Sequence, residues 1–102
     1  MQLLAMILSL CTSAALTGTD SFIAGDRAQR SGAFEHAAQL FSDCAQESDI
    51  LCPYALSRAA QNHWLSGNIA TAETLFMQVL NDYPEGPWAR MTCTRLGYLY
   101  VK

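Results

Sequence analysis

The most constraining feature of this chain is that it repeats itself. Gly32-Ala33-Phe34-Glu35-His36-Ala37-Ala38-Gln39-Leu40-Phe41 aligns with Gly67-Asn68-Ile69-Ala70-Thr71-Ala72-Glu73-Thr74-Leu75-Phe76 at an offset of 35 residues. Glycine, a bulky apolar residue, alanine, leucine and phenylalanine recur in the same order. A period of about 34 is what paired-helix solenoids show, because a single helix pair cannot bury its apolar face and must stack on the next. The repeat therefore predicts an all-α stack, an architecture that works mainly by binding.

The 102 residues give room for one small domain of about two and a half such units. Half of them are apolar and 15% are charged, a balance that suits a folded chain. The net charge of −3 is spread along the sequence with no basic run, so nucleic acid is not the expected partner. A core this small is expected to depend on end capping, a neighbouring domain or a crosslink.

Residues 1–19 carry no charge, and Leu3 to Leu10 is almost wholly apolar before Cys11-Thr12-Ser13-Ala14-Ala15. The pattern fits a signal peptide over residues 1–17, cut after Ala14 or Ala15, although no Lys or Arg precedes the apolar run. An apolar N-terminal helix buried in the fold is the alternative. A membrane anchor is disfavoured because the run falls short of the ~20 residues a span needs.

Beyond residue 19 the chain reads as five helices. Asp20 is placed to cap the first, with Phe22, Ile23, Ala24 and Ala28 as its apolar stripe as far as Arg30. Ser31-Gly32 breaks it. The second runs from Phe34 to Ala45 with Phe34, Ala37, Ala38, Phe41 and Ala45 on one face. The third begins near Pro53 and stops at Ser66-Gly67. The fourth covers Ile69 to Asn81 with Ile69, Ala72, Phe76, Val79 and Leu80 inward, and Asp82-Tyr83-Pro84-Glu85-Gly86-Pro87 ends it. The fifth starts at Trp88 and shows no stop signal before Lys102, as in a fragment of a longer stack or a capping helix.

Ala72-x3-Phe76 with Pro84 closing the helix resembles the second half of a tetratricopeptide repeat, and Leu96-Gly97-x2-Tyr100 resembles the first-helix signature of the next. Ala37-x3-Phe41 is the earlier copy, with Asp49 where the closing proline would fall. The resemblance implies a tetratricopeptide-like α-solenoid over residues 18–102, in units of 18–50, 53–86 and 87–102. Cys44 and Cys52 stand at the end of one helix and the start of the next, with seven residues between them. In a stacked pair these positions approach, and a disulfide there would clip one unit to the following one. The spacing is similar to that of the cysteine-rich Sel1-like repeats of secreted bacterial proteins, although there the pair recurs in every unit. The other reading is two buried cysteines acting as small apolar residues.

Nothing in the sequence assembles a catalytic set. His36 and His63 lie in different units, no Ser/His/Asp context or phosphate loop is present, and the cysteine spacing matches no zinc pattern. No catalytic residue, cofactor or metal is expected. In the implied fold the first helix of each pair lines a concave face. That places Phe22, Asp26 and Gln29, then Tyr54, Ser57, Gln61 and Trp64, then Tyr98 toward a ligand. Of these, Asp26, Gln29, Tyr54, Gln61, Trp64 and Tyr98 are the expected partner-binding residues, the aromatics as anchors and the polar groups for orientation. Trp64 and Tyr98 equally suit packing of unit on unit. The lysine and asparagine set with which chaperone-binding members grip a carboxylate tail is replaced by Phe22, Asp26, Ser57 and Gln61.

The sequence thus predicts a non-catalytic interaction module, exported to a bacterial envelope, that holds a protein or peptide; a cytoplasmic module is the alternative location. Tyr83-Pro84-Glu85-Gly86-Pro87-Trp88-Ala89 resembles the inter-repeat linkers of bacterial envelope proteins. A helical-repeat fragment of a larger envelope protein, such as a soluble lytic transglycosylase or an outer-membrane assembly lipoprotein, is therefore the second expectation.

Overall fold

The computed structural model describes residues 18–85 and 87–101, with the side chains of Trp88 and of residues 98–101 outside that description. Among the described residues there are five helices and no strand: α1 (Thr19–Arg30), α2 (Phe34–Glu47), α3 (Cys52–Leu65), α4 (Ile69–Asp82) and α5 (Pro87–Val101). Each helix packs on its neighbours in sequence, and α5 also reaches α3. None of these helices is long and apolar enough to cross a membrane. The expected signal peptide or apolar helix over residues 1–17 lies outside the described residues.

The internal repeat is reproduced in backbone geometry. At the end of α1, Gly32 donates its N–H to the Gln29 carbonyl at 3.1 Å and Ala33 donates to Ala28 at 2.9 Å. At the end of α3, Gly67 donates to Trp64 at 3.1 Å and Asn68 to His63 at 2.8 Å. Both are Schellman turns, in which the last helical carbonyls are satisfied by a residue in the left-handed region. Gly32 and Gly67 supply that residue, with φ of 84° and 95°. Even the preceding serines agree, since the Ser31 and Ser66 hydroxyls both donate to the carbonyl three residues back at 2.9 Å.

Small residues set the helix spacing. Ala37, Ala38, Ala55, Ala59, Ala60 and Ala72 are fully buried, and Phe41 and Phe76 fill the space between them. Alanine at a crossing lets two backbones approach, and the ring then occupies the groove. Gly25 stands one period before Ala60, and a methyl there would come within 3.1 Å of the Phe41 ring carbons. The core divides into three clusters, around Phe41, around Cys44 and Val79, and around Phe76, and Leu75 packs against all of them.

Several expectations need correction. Position 18 rather than Asp20 precedes α1: Gly18 is its N-cap with φ 87°, and Asp20 sits in the first turn, where its charge favours the helix N-terminus. Ile23 and Ile69, expected inward, are 49% and 40% exposed because each falls on the outer edge of its stripe. Ser57, expected to face a ligand, is buried between helices. Helix α2 continues to Glu47, two residues past the expected end, and α3 begins at Cys52, with Pro53 in its first turn.

Candidate functional site

Polar side chains link α3 to α1 and to α5. Helices α1 and α3 meet at Arg58, which sits four residues after Tyr54 and so on the same face of α3. Its Nη2 donates to Asp26 Oδ1 at 3.0 Å and to Gln29 Oε1 at 2.6 Å, while its Nε donates to the same Gln29 oxygen at 3.0 Å. Asn62, one turn further along α3 and fully buried, donates to Gln29 Oε1 at 3.1 Å and to the Arg58 carbonyl at 2.8 Å. Asp26 and Gln29 lie three residues apart on α1, so both side chains point at α3 together.

The apolar half of this site is aromatic. The Arg58 guanidinium carbon lies 4.6 Å from the Phe41 ring centre, 5.8 Å from Phe22 and 6.0 Å from Tyr54. Phe22 meets Phe41 edge-on at 5.4 Å and Tyr54 at 5.4 Å in a tilted arrangement. A guanidinium is weakly hydrated and stacks well on rings, so this cage holds the cation at little desolvation cost. Asp26 also pairs with Arg30 at 3.0 Å. The hydrogen bond from Arg58 leads in holding the Asp26 carboxyl below its usual range; partial burial opposes this, and the Arg30 and Arg58 charges add to it.

Toward α5 the character changes. Arg95 donates an N–H of its guanidinium to Gln61 Oε1, joining α5 to α3. Burial does most to lower the Arg95 pKa, the Arg58 charge pushes the same way, and the Tyr54 phenol opposes them. No carboxylate among the described residues pairs with Arg95. The cation is half-buried beside another cation with a neutral amide as its partner.

Of the residues expected to bind a partner, the structure gathers Asp26, Gln29, Tyr54 and Gln61 on this side of α1 and α3. Asp26 and Gln29 are largely engaged by Arg58. Trp64 is half-buried and packs on the Ala60–Ala72–Phe76 cluster with Leu96, so it contributes to packing of α3 on α4 and α5. The Tyr98 side chain lies outside the described residues. Arg58 and Arg95 were not anticipated from the sequence. Asp26 and Gln29 at helical spacing opposite an aromatic-flanked arginine was the signal that could have found the first.

On the edge that carries the two Schellman turns, a shallow cleft of about 770 Å³ is lined by His36, His63, Glu35, Gln39 and Asn68 among others. The two histidines, in separate units of the sequence, thus share one cleft. His63 Nδ1 is buried with no hydrogen-bond partner among the described residues, and burial lowers its pKa against the opposing Glu35 charge. No group of three or more His, Cys, Asp or Glu side chains among the described residues is arranged to hold a metal.

At the opposite edge, Cys44, Cys52 and Tyr83 belong to one cluster, and the cysteines are free thiols. Burial does most to raise the Cys44 pKa, with the nearby Glu47 and Cys52 charges adding to it. Contact with Cys52 is the largest influence on the Tyr83 phenol, which is pushed up to about 12. Comparison with protein-family models, curated proteins and solved structures found no match to this chain.

Proposed function

We propose that this protein is a non-catalytic, tetratricopeptide-like interaction module that holds a peptide, or an extended segment of a protein, against the side formed by α1, α3 and α5. The observation that carries the reading is the side itself: three separate helices contribute Asp26, Gln29, Tyr54, Gln61 and Arg95 to one surface. Hydrogen bonds from Arg58 fix Asp26 and Gln29 relative to α3, and the bond from Arg95 holds Gln61, before any ligand arrives. A preorganised surface loses less side-chain entropy on binding, which is how such a small domain gains affinity. The repeated turns and small-residue packing support a solenoid arrangement, in which alternate helices face the ligand.

The working location in this proposal is the bacterial envelope, on the strength of the uncharged N-terminal stretch and of Cys44 and Cys52, which share a cluster and would be clipped together in an oxidising compartment. The test is selection of short displayed peptides on the full chain, followed by titration of the recovered sequences. Tyr54→Ala combined with Gln61→Ala should weaken binding by at least about tenfold, the effect of losing one anchor and one polar contact, with helicity retained. Full-strength binding to that variant would place the ligand elsewhere, and recovery of no peptide would refute the reading.

A further inference from the structure

The α1–α3–α5 side is locally cationic on a protein whose net charge is −3. Asp26 is shared between Arg58 and Arg30, each at 3.0 Å, so its charge is already engaged. Arg58 has its charge answered by Asp26, its Nε and Nη2 engaged by Gln29, and its plane set among three rings. Arg95 differs in every respect. It sits mid-helix in α5, its carboxamide partner Gln61 takes up one N–H, and no anion among the described residues answers its charge.

A half-buried guanidinium with a neutral partner is an expensive arrangement. Burying a charge costs heavily unless it is paired, and a neighbouring cation worsens it. Structural arginines solve this as Arg58 does. An arginine left short of an anion on a surface that otherwise looks built for recognition is completed by the ligand. The planar fork matches a carboxylate, with two parallel N–H donors available to its two oxygens.

We infer that Arg95 receives the side-chain carboxylate of an aspartate or glutamate within a bound peptide. The inference rests on the peptide-binding reading above and adds its chemistry: the ligand is acidic at the position that crosses α5. A carboxylate at a chain end would offer the same chemistry as one on a side chain; the side chain is the source inferred, and free against amidated C-termini separate the two. The remaining part of the peptide then runs over Gln61 and Tyr54 toward Gln29.

The experiment uses the full chain and an array of short synthetic peptides tethered at the N-terminus, each acidic member made with an amidated and with a free C-terminus and paired with its Asn/Gln counterpart. Acidic peptides should bind at least about tenfold tighter than their amide twins, as expected for a charge-assisted bond. The advantage should shrink in ~1 M salt, where exposed charges are screened. Arg95→Gln should erase the discrimination between each acidic peptide and its amide twin. Arg95→Lys should retain part of it. Equal binding of acidic and amide peptides by the natural protein would overturn the inference while leaving peptide binding intact. So would a preference that survives Arg95→Gln, or acidic peptides that bind only with a free C-terminal carboxylate. Retention of no peptide at all would overturn both this inference and the function it rests on.

Discussion

Replacing Gly67 with alanine isolates the backbone requirement of the repeated turn. Gly67 has φ of 95°, and a methyl group there would meet nothing within 4 Å. Packing therefore contributes nothing to the change. An L-residue in the left-handed region costs about 1–2 kcal/mol. Alanine also narrows the unfolded ensemble, which returns about 0.4–1 kcal/mol. The net loss is about 1 kcal/mol, equivalent to a fall in Tm of roughly 4–8 °C for a domain of this size. Gly32→Ala has the same φ sign, the same open surroundings and the same hydrogen bonds, so its loss should match within about 0.5 kcal/mol. Gly97→Ala is the control: its surroundings are equally open but it lies inside α5, so alanine should stabilise by about 0.5–1 kcal/mol. Urea unfolding followed by far-ultraviolet circular dichroism measures all of these. If Gly67→Ala raised the midpoint as Gly97→Ala does, the Schellman turn would be wrong. Unequal losses at Gly32 and Gly67 would break the equivalence of the two units.

Other consequences can be checked in the same way. Arg58→Ala removes the stacking on Phe41 and takes the guanidinium donors away from Gln29 and Asp26, so unfolding free energy should drop by about 2–4 kcal/mol; Arg58→Lys, which cannot fork to Asp26 and Gln29 together, should recover only part of it. His63 has a folded pKa depressed below 6.5 by burial, so the unfolded chain takes up its proton first. Stability should therefore fall as pH drops from about 6.5, levelling off below the folded pKa, and His63→Gln should flatten that slope. Asp26 acts in a separate window: its contribution is present above the unfolded value of 3.8 and is lost as pH falls through its lower folded pKa. With thiols reduced, alkylation followed by mass spectrometry should label exposed Cys93 well before buried Cys44, whose raised pKa further slows it. Mild oxidation should join Cys44 to Cys52 and slow unfolding, and a variant with either replaced by serine should show no such change.

The elements themselves were legible because the apolar pattern and the breaks agreed. Phe41 and Phe76, with alanines four residues before each, read as buried and are buried. Ser31-Gly32 and Ser66-Gly67 read as breaks and form them. Errors fell where one residue had two physically reasonable places. Ile23 and Ile69 belong to apolar stripes by spacing, but the stripe is wider than the contact. Asp20 is a good capping residue, yet Gly18 fits tightly against Ser48 and Cys44, and the helix starts from there. The site was half legible. Asp26, Gln29, Tyr54 and Gln61 were grouped on one side by the arrangement that the repeat resemblance implies. Arg58 was missed because spacing treats arginine as a solvated surface residue, and its burial depends on Phe22 and Phe41 from two other helices. That convergence is a property of the tertiary fold, and its one local mark is the spacing of Asp26 and Gln29 on α1.

Leu75 touches all three core clusters, whereas α5 is tied to the cluster of Ala60, Ala72 and Phe76 through Leu96. Under mechanical load these two attachments behave differently. Tension on α4 loads all three clusters through Leu75, so that helix resists with the whole core behind it. Tension applied from the C-terminal end meets, among the described residues, the Leu96 contact and the Arg95–Gln61 bond, and peels α5 away first. A ligand bridging Gln61, Tyr54 and Arg95 would bolt that outer helix to α3. The force needed to detach α5 would then report occupancy of the site directly.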